Sequence, residues 1–580
     1  MDRPARWLIP KIDSDRAGRL AASLGISPVA ARVLAVRGYD DPDAARRFLN
    51  PSLDDLHDPY LMLGMSAAVE RLRSAIDKRE RILLYGDYDV DGTISVVILK
   101  KAIELAGGAA EHYIPNRLRD GYGVHPEVIE TAAAAGTKLI VSVDTGIRAA
   151  EAVCRARSLG IDVIVTDHHL PDRNIPPALA VLNPNQPGCG YPEKNLCGAG
   201  VAFKLVQALL ATLGWPEAKL RRFTESFLKL VAIGTVADVV PLTGENRIIV
   251  KKGLEGLQSV RNPGLAALLS VAGFEPGEAP SAVQVAFRIA PRMNAAGRMA
   301  DANDIVNLLL TDDPVHAREL AERLHSLNRE RQETENAIVR EILDECLAQP
   351  VTEAQAALVF CGRDWHRGVV GIVASRIVEK FHRPVFVLSE DPEEGVAQGS
   401  GRSIPNFHLL EALESMPELF LRYGGHRQAA GLSLAADRVD EFRQRLNAYA
   451  AARLTPEDFR PEIEIDSLLR LEEISERAVE NVLAMAPFGC GNPAPVFAVL
   501  DAEVAAPPCV MKEKHLRLVL RQNNHSLVLK AWNFAGRLGE LSQGARVDAA
   551  LVFERDDYSA SRGFPGWCAV LRDVRAAGAV

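Results

Sequence analysis

The sequence predicts a multidomain α/β protein in which a parallel-sheet domain, a long connecting helix and a smaller α/β domain precede an antiparallel barrel or sandwich. From about residue 66, near-continuous apolar runs of strand length alternate with helical segments, a pattern typical of a parallel sheet covered on both faces. Residues 314–347 keep helical spacing around a charged middle. Beyond about residue 454, short segments alternate apolar and polar residues as antiparallel strands do.

The first α/β domain is predicted from strands and helices that alternate along the chain. Residues 81–85, 139–143 and 163–166 are short apolar runs that suit buried strands, and residues 93–106 have a helical pattern. The first 50 residues are rich in arginine and carry a short apolar helical pattern. We interpret them as a small N-terminal cap.

The later elements follow the same reasoning. A helix over the 34 residues 314–347 would span about 50 Å at 1.5 Å per residue. Because its middle is polar, we expect an exposed bridge between domains. A second α/β pattern combines apolar runs at 356–360 and 384–388 with a helix near 370–381. The predicted strands of the last domain are 515–521, 526–533 and 546–554.

Composition limits the class of protein. The chain has 580 residues and a formal net charge of −9, from 67 Lys and Arg against 76 Asp and Glu. It is 48% hydrophobic and 25% charged, which excludes collagen-like, low-complexity and largely disordered chains. The length corresponds to roughly three to five domains. The acidic balance argues weakly against a nucleic-acid-binding protein, whose domains are often strongly basic.

The sequence also predicts a cytoplasmic protein that does not contact membranes. Its first residues lack the apolar core of a signal peptide, and no stretch approaches 18 uninterrupted apolar residues. The eight cysteines form no CxxC pair. This spacing disfavours structural zinc and a disulfide framework, and it fits reduced thiols.

Four clusters of acidic residues and histidines share one placement in the pattern. Each lies at or just after the carboxyl end of an apolar strand or run. Ligand sites in open parallel sheets form outside the carboxyl ends of the strands, so we expect the four clusters to converge. The clusters are Asp87-Tyr88-Asp89-Val90-Asp91-Gly92, Asp144-Thr145-Gly146, Asp167-His168-His169, and Asp238 after the run 231–236.

Convergence would bring up to six carboxylates and two imidazoles into one crevice, where they would repel one another without cations. Oxygen-rich ligation with one or two histidines suits Mn²⁺ or Mg²⁺. Two such ions would activate a water for displacement at phosphorus. Taken singly, Asp144 or Asp238 is more simply a helix N-cap. The Asp-x-Asp-x-Asp-Gly run also matches a fragment of a calcium loop, but Ile98 stands where that loop needs Glu.

These motifs resemble those of a known enzyme superfamily. YGDYDVDG, VDTG, DHH and GTVADVVPL resemble the four successive motifs of the DHH phosphoesterase superfamily. WHRGVVGIVASR at 365–376 and YGGHRQAAG at 423–431 are similar to its DHH-associated domain. APRMNAAGRM at 290–299 and PFGCGNP at 487–493 are typical of one branch, the single-stranded-DNA-specific exonucleases of bacteria. The resemblance runs essentially from end to end.

The resemblance implies five domains and a metal centre. We expect an N-terminal cap at 1–50, a DHH catalytic domain at 51–313, a connecting helix at 314–348, a DHH-associated DNA-binding domain at 349–453 and an OB-like barrel at 454–580. The family holds two divalent cations, with Mn²⁺ preferred and Mg²⁺ possible. Carried over by motif, the metal ligands are Asp87, Asp89, Asp91, Asp144, His168 and Asp238.

Individual roles follow from the same resemblance. Asp144 is the natural bridging ligand, and Asp91 either ligates or holds the loop. His169 approaches the scissile phosphate, where a donor would stabilise the transition state. Asp167 orients a neighbouring histidine from outside the metal shell. The expected catalytic residues are therefore His169, Asp144 and His168.

The DHH-associated domain is expected to hold DNA. Its Gly424-Gly425-His426 turn would bring backbone N–H groups close to a phosphate. Arg298, with Arg292, is expected in a loop that lines the cleft between domains. The barrel adds Lys512, Lys514, His515, Arg517 and Lys530. The full predicted DNA-binding set of the first two domains is Arg298, Arg367, Ser375, Arg376, Arg402, Ser403, Gly424, Gly425 and His426.

The function implied by the resemblance is 5′→3′ exonucleolytic degradation of single-stranded DNA to mononucleotides in DNA recombination and repair. Single-strand-binding protein and a helicase are the protein partners that it suggests, and a single chain supplies every part. Two alternatives remain. One is a DHH phosphodiesterase for short oligonucleotides or cyclic dinucleotides, although such proteins tend to be shorter and lack the barrel. The other is a non-catalytic replication scaffold, although such relatives lose metal ligands that are present here.

Overall fold

A computed structural model describes residues 5–117, 119–121 and 123–578. The chain forms two compact units. One unit combines the N-terminal segment to Asp55 with Pro241–Ile248 and the segment from Arg460. The other comprises Leu56–Val240 and Ile249–Phe459.

The N-terminal segment is a small group of capped helices. Asp13, Ser27 and Asp41 each accept backbone N–H groups at the start of a helix, which satisfies donors that have no partner within it. The elements are β1 (Arg6–Leu8), α1 (Ser14–Leu24), α2 (Pro28–Val36) and α3 (Pro42–Leu49).

The first α/β domain contains a five-stranded sheet in the order β3-β2-β4-β5-β6, with every neighbouring pair parallel. Its elements are α4 (Met65–Asp77), β2 (Arg81–Tyr85), α5 (Val90–Leu105), β3 (Ala110–Tyr113), α6 (Pro126–Ala134), β4 (Thr137–Val143), α7 (Ala150–Ser158), β5 (Asp162–Thr166), β6 (Ala180–Leu182), α8 (Gly198–Ala211), α9 (Glu217–Ala237), α10 (Gly244–Gly256), α11 (Pro263–Val271), α12 (Ala282–Gln284), α13 (Ala290–Met299) and α14 (Asn303–Leu310). The predicted parallel sheet is confirmed.

The sheet places the ends of three strands side by side. Tyr85 of β2 pairs with Ser142 of β4, and Val143 of β4 pairs with Thr166 of β5. The chain runs from β2 outward to β3 and returns on the other side to β4. The strand order therefore reverses between β2 and β4, which is where open α/β sheets bind ligands.

One open alternative in this domain is resolved, and one local prediction is wrong. The apolar run 231–236 belongs to the 21-residue helix α9, and Asp238 caps the carboxyl end of that helix. A six-residue apolar run fits a strand or a buried helix equally well, and here the helical pattern upstream continues through it. Arg292 and Arg298 lie in α13 and not in a loop, since Pro291 occupies the first turn, where a missing N–H is tolerated.

The connecting helix α15 (Pro314–Ala348) has 35 residues, one more than the sequence pattern at 314–347 predicts. Its middle is not simply exposed, which corrects the expectation. Asn328, Arg331 and Glu335 are buried there. Arg331 donates to Glu335 at 2.5 Å and to Asn328 at 2.7 Å. The charged residues are tolerated inside because they pair with one another.

The second α/β domain is smaller, and its sheet is mixed. The strand order is β10-β11-β9-β8-β7, and only β7 and β8 are parallel among these pairs. Its elements are β7 (Leu358–Arg363), α16 (Val370–Phe381), β8 (Val385–Asp391), β9 (Val396–Arg402), α17 (Leu409–Glu414), β10 (Phe420–Gly425), β11 (Ala429–Ala435) and α18 (Val439–Ala451).

The C-terminal segment forms a closed barrel, which decides between the predicted barrel and sandwich. β14 pairs with both β18 and β16, so the strands β14, β16, β17, β19 and β18 close on themselves. Val29 and Leu34 of α2 share its hydrophobic core with Phe497 and Leu518. The elements are β12 (Glu462–Glu464), β13 (Ser467–Leu468), α19 (Glu476–Leu483), β14 (Phe497–Val504), β15 (Cys509–Met511), β16 (His515–Gln522), β17 (His525–Ala531), β18 (Arg546–Arg555), α20 (Asp557–Ala560) and β19 (Trp567–Ala576).

Within the described residues, no single helix has both the length and the apolar composition of a membrane span. Helices α1 and α2 meet those criteria only as a pair, and they are bent by 117° at their junction.

Candidate metal and phosphate site

The first acidic cluster is held in a tight turn after β2. A Cβ on Gly92 would lie 2.6 Å from the backbone oxygen of Asp87, so the turn requires glycine there. Asp89 caps α5, and its Oδ1 accepts the Gly92 N–H at 3.0 Å. The turn therefore holds Asp87 and Asp89 at the carboxyl end of β2, with Asp87 only 5% exposed.

Asp144 follows β4 and is held in an unusual conformation. Its φ is +59°, a left-handed value that few residues other than glycine, Asn and Asp adopt. The Asp144 N–H donates to the Thr166 carbonyl at 2.9 Å. A Cβ on Gly198, at the start of α8, would lie 2.7 Å from Asp144 Oδ1. The backbone around Asp144 thus fixes the position of its carboxylate.

Asp167 holds the two histidines that follow β5. Its Oδ1 accepts the backbone N–H groups of His168 at 2.7 Å and His169 at 3.1 Å, and it lies 2.7 Å from His169 Nδ1. Its Oδ2 accepts the Ile147 N–H at 2.9 Å. This arrangement turns His169 Nε2 away from Asp167.

His168 points toward the carboxylates. Its Nε2 lies 3.2 Å from Asp144 Oδ1 and 3.7 Å from Asp238 Oδ2. The strand ends and the end of α9 therefore bring Asp144, His168 and Asp238 together, although they are far apart in the sequence.

Asp91 occupies a different environment. It is buried, and its two oxygens accept the N–H groups of Gly198 and Ala199 at the start of α8, the second at 2.9 Å. A carboxylate at a helix N-terminus satisfies backbone donors and interacts favourably with the helix dipole. Asp91 also lies 4.0 Å from His168 Nε2.

Three overlapping groups of side chains offer ligand atoms within 4.8 Å of one another. Asp144 and His168 each belong to two of these groups. The donors are carboxylate oxygens and imidazole nitrogens, which suit Mn²⁺ or Mg²⁺. The groups are Asp87, Asp89 and Asp144; Asp144, His168 and His169; and Asp91, His168 and Asp238.

Buried acceptors within these groups fit a bound cation. Asp87 Oδ1 and Asp238 Oδ2 are buried and have no hydrogen-bond partner among the described residues. Leaving a buried polar atom unsatisfied is costly, so such atoms call for an explanation such as an ion. The residues present therefore fit divalent metal binding.

The pKa values of the carboxyl groups also fit divalent metal binding. Burial, and then the charges of Asp91 and Asp89, raise the pKa of Asp238 to about 9. Burial and neighbouring carboxylates raise the pKa values of Asp87 and Asp144 well above the usual range. Without cations, the cluster is thus held partly protonated, because buried like charges cannot all ionise together.

The adjacent histidines differ in their proton affinity. Burial and the neighbouring His169 lower the pKa of His168 to about 4, so its ring is neutral near pH 7 and free to ligate a metal. Burial alone would lower the pKa of His169, but its hydrogen bond to Asp167 and the nearby carboxylates raise it overall. His169 is therefore the better proton carrier of the two.

The raised carboxyl pKa values predict a pH-dependent stability of the metal-free protein. Unfolded aspartates have pKa values near 3.9, whereas folded Asp87, Asp144 and Asp238 retain protons to higher pH. Stability in EDTA should therefore fall as pH rises from about 4 toward 9. We expect the melting temperature in EDTA to drop by about 3 °C or more between pH 6 and pH 8.5.

Two comparisons complete this experiment. Mn²⁺ should raise the melting temperature more at pH 8.5 than at pH 6, because bound cations replace the protons. The double variant Asp144→Asn, Asp238→Asn should show a flatter dependence in EDTA. A melting temperature that varies with pH equally in the double variant and the wild type would contradict the assignment of this dependence to the cluster.

A group of arginines lies beside the acidic cluster. Burial, and then the charges of Arg117, Arg402 and Arg331, lower the pKa of Arg298 to about 10. Burial and Arg117 also lower the pKa of Arg402. We call Arg117, Arg298 and Arg402 the arginine cluster. Cations that repel one another in a partly buried site bind an anion favourably.

The surroundings of the arginine cluster link both α/β domains. Arg298 Nη1 donates to the Gly368 carbonyl at 3.1 Å, and Arg117 stacks over the Tyr88 ring at 4.1 Å. Arg298 and Arg331 line a cavity of about 190 Å³ together with Ile372. Arg117 is not among the residues predicted from the sequence. It nevertheless lies just beyond the carboxyl end of β3, at the edge of the sheet where ligand sites form.

Four of the predicted DNA-binding residues have partners within the protein. Arg367 pairs with Asp391 at 3.0 Å, and Arg376 pairs with Glu335 at 2.6 Å. The hydroxyl groups of Ser375 and Ser403 donate to backbone carbonyls, those of Gly371 and Phe407. These four side chains are engaged within the protein, and their contact with DNA stays a prediction.

The predicted glycine turn is displaced by two residues. Gly424 and Gly425 end strand β10 and pair with Gly431 and Ala430, so the tight turn begins at His426. A Cβ on Gly425, whose φ is +144°, would lie 2.5 Å from the Ala429 oxygen. His426 itself lines a cavity together with His169.

On the barrel, Lys530 pairs with Asp556 at 2.6 Å. Trp532 is 46% exposed and meets His515 edge to face, at 5.0 Å between ring centroids.

Comparisons with known proteins agree with this architecture. The family model for the DHH family N-terminal domain matches residues 81–235. The DHHA1 domain matches residues 353–452, and the RecJ OB domain matches residues 465–563.

Curated relatives match most of the chain. The Dickeya dadantii single-stranded-DNA-specific exonuclease RecJ is 42% identical over 80% of this chain and 82% of its own length. The Escherichia coli protein of the same name is 39% identical over 81% of this chain and 83% of its own length. The Bacillus subtilis RecJ is 39% identical over 93% of this chain, which spans 66% of that protein's length.

Solved structures share the fold over the full chain. A Thermus thermophilus RecJ structure in complex with Mn²⁺ superposes with a TM-score of 0.84 at 32% identity, and it covers 100% of this chain and 81% of that one. A Mg²⁺ complex of the same protein has a TM-score of 0.77 at 31% identity and covers 99% of this chain and 79% of that one. With three family domains in order and relatives matched over most of their length, the chain belongs to the RecJ family of single-stranded-DNA-specific exonucleases.

Proposed function

We propose that this chain is a metal-dependent nuclease that removes mononucleotides from the 5′ end of single-stranded DNA. The observation that carries the proposal is the juxtaposition of a buried carboxylate–histidine cluster with the arginine cluster. The first suits divalent cations and the second suits phosphate. With the terminal 5′ phosphate in the arginine cluster, the first phosphodiester of the strand would lie at the carboxylate–histidine cluster and be cleaved there.

We assign two cation positions to the carboxylate–histidine cluster. Asp87, Asp89 and Asp144 would hold one ion, and Asp144, His168 and Asp238 would hold the other, so Asp144 would contribute to both. The overlap of the ligand groups at Asp144 and at His168 supports this assignment, as do the distances of 3.2 Å and 3.7 Å from His168 Nε2 to Asp144 and Asp238. Bound divalent ions would supply an activated water and charge neutralisation at the scissile phosphate. The oxygen-rich donors favour Mn²⁺, with Mg²⁺ as the alternative.

The chain's other residues position these ligands. Asp91 accepts two N–H groups of α8, so we assign it to holding that helix rather than to metal ligation. Asp167 orients His169, whose Nε2 then faces the site. In our proposal His169 donates a hydrogen bond to the scissile phosphate and stabilises the charge that develops in the transition state.

The arginine cluster would determine the direction of cleavage. Arg298 and Arg402, together with Arg117, can surround the terminal 5′ phosphate with guanidinium donors, which match phosphate oxygens well. Because Arg298 also contacts the Gly368 carbonyl of the second α/β domain, this binding would need both domains in place. If the passage between these domains admits only one strand, duplex DNA would be unable to reach the site.

The barrel would raise affinity for the strand without selecting its sequence. Lys512, Lys514 and Arg517 provide positive charge on it, and the exposed Trp532 ring can stack on a base. Lys530 is less available, since it already pairs with Asp556.

We also propose the cellular setting. All the site residues above come from one chain, which supports action as a monomer. In this proposal the protein acts in the cytoplasm on DNA strands that are opened during recombination and repair. Its partners there would be single-strand-binding protein and a helicase.

A substrate panel tests the proposal against its alternatives. With Mn²⁺, we expect rapid loss of a long 5′-phosphorylated single strand to mononucleotides, with the matching duplex degraded at least about a hundredfold more slowly. EDTA should abolish the reaction. Preference for a dinucleotide would favour a short-oligonucleotide phosphodiesterase, and absence of cleavage of any DNA would favour the scaffold.

A further inference from the structure

A second cavity adjoins the metal site and shares no lining residue with the small cavity at Arg298. It has a volume of about 640 Å³, within the range of ligand pockets. It is bounded by the segment from Thr145 into the first turn of α7, by His169, by Gly123, Val124 and Pro126 around the start of α6, and by His426 of the second α/β domain. We call it the α7 cavity.

Arg148 is the arginine that lines the α7 cavity. Its Nε donates to the Leu170 carbonyl at 3.0 Å and lies 3.5 Å from Asp172 Oδ1. Among the described residues, its two terminal nitrogens donate no hydrogen bond. The side chain is therefore anchored one residue after His169 while its outer donors remain available, with 43% of its surface exposed.

The charges in the α7 cavity favour an anion. Arg148, His169 and His426 converge there, and after burial the charges of Arg148 and His169 lower the pKa of His426. Two carboxylates also line the cavity, Asp167 and Glu151. Asp167 is already occupied by hydrogen bonds to His169 and to backbone N–H groups, and Glu151 is exposed at the surface of α7.

We propose that Arg148, together with His426, binds the phosphate that follows the scissile phosphate on its 3′ side. The inference rests on the proposed function, because it assumes that the 5′ end occupies the arginine cluster. The α7 cavity lies beside His169 and, at about 640 Å³, has room for a strand that continues past the scissile phosphate. Arg148 would then be a substrate-binding residue of the second linkage, placed by its contact with Leu170.

Short substrates distinguish binding of this following phosphate from a general effect of Arg148 on activity. A 5′-phosphorylated dinucleotide contains the scissile phosphate but no following phosphate, and a trinucleotide contains one. Arg148→Ala should lower kcat/KM for the trinucleotide by about tenfold or more, the value of a charge-assisted hydrogen bond. It should change kcat/KM for the dinucleotide less than about twofold. Arg155→Ala, which removes an exposed arginine of α7 that pairs with Glu130, is the matched control and should affect neither.

A modified substrate makes the test independent of how the variant folds. A trinucleotide with an uncharged methylphosphonate at its second linkage should lose a similar factor with the wild-type enzyme. Arg148→Ala should then show no further loss on this substrate. Equal losses of the variant on dinucleotide and trinucleotide, or a methylphosphonate without effect, would overturn this inference alone. Failure of the wild type to cleave either oligonucleotide would overturn the proposed function and the inference with it.

Discussion

Asp144→Asn is expected to reduce cleavage of single-stranded DNA by more than about a thousandfold, the largest effect of any single substitution in the site. Substitution of a residue that only hydrogen-bonds to a metal ligand typically lowers metal affinity or activity by about 10–100-fold. Loss of a ligand shared by two ions should therefore lower activity further. Asn keeps the size of Asp and tolerates the left-handed φ of +59° at this position, so the fold should be retained.

The measurement combines cleavage, calorimetric titration with Mn²⁺ and binding of a labelled single strand. The variant should lose cleavage and most of its Mn²⁺ affinity while it binds DNA within about threefold of the wild type. Asp77→Ala, which removes an exposed carboxylate of α4 paired with Arg73, is the control and should behave as the wild type. Retained cleavage by Asp144→Asn would refute the assignment of Asp144 as a bridging ligand.

His169→Ala is expected to reduce kcat by about 100–1000-fold, the usual cost of removing a donor to a charged transition state. KM should change little, because the interaction strengthens only as charge develops. The Mn²⁺ affinity of this variant should stay within about threefold of the wild type, since His169 is assigned to the phosphate and not to the metal.

The neighbouring histidine provides the contrast. His168→Ala should lose at least about tenfold in Mn²⁺ affinity as well as in cleavage, because its neutral ring points at Asp144 and Asp238. Isothermal titration and steady-state kinetics on both variants separate the two roles. If His169→Ala lost metal affinity while His168→Ala kept it, the assignments would have to be exchanged.

The sequence predicts the acidic centre well because one rule applies to it. Parallel strands end at one edge of a sheet, so residues that follow apolar runs, such as Asp87, Asp144 and His168, can be placed together without coordinates. Asp238 satisfies the same expectation for a different reason. It ends a helix, and a short apolar run alone cannot distinguish that helix from a strand.

The phosphate-binding residues are harder to predict. Strand β3 has four residues, Ala-Glu-His-Tyr, and no apolar run that would mark it. Arg117, which follows this strand, is therefore not predicted from the sequence. Conversely, Arg367 and Arg376 are in the predicted DNA-binding set, but each forms an ion pair, with Asp391 and Glu335 respectively, that is not apparent from the sequence.

Net charge was also a poor guide to the ligand. The formal net charge of −9 includes the buried aspartates of the cluster. Bound cations would reverse the sign of the local electrostatics there. The arginine cluster and Arg148 lie beside those aspartates. The distribution of charge, and not its sum, is what fits a polyanionic substrate.

We propose above that one cluster, shared through Asp144, holds a pair of cations at the carboxyl edge of the sheet. Anomalous diffraction from crystals of the protein soaked in Mn²⁺ tests it most directly. We expect two anomalous peaks about 3.5–4 Å apart, one beside Asp87 and Asp89, the other beside His168 and Asp238, with Asp144 between them. A single peak, or peaks that do not contact Asp144, would contradict the claim.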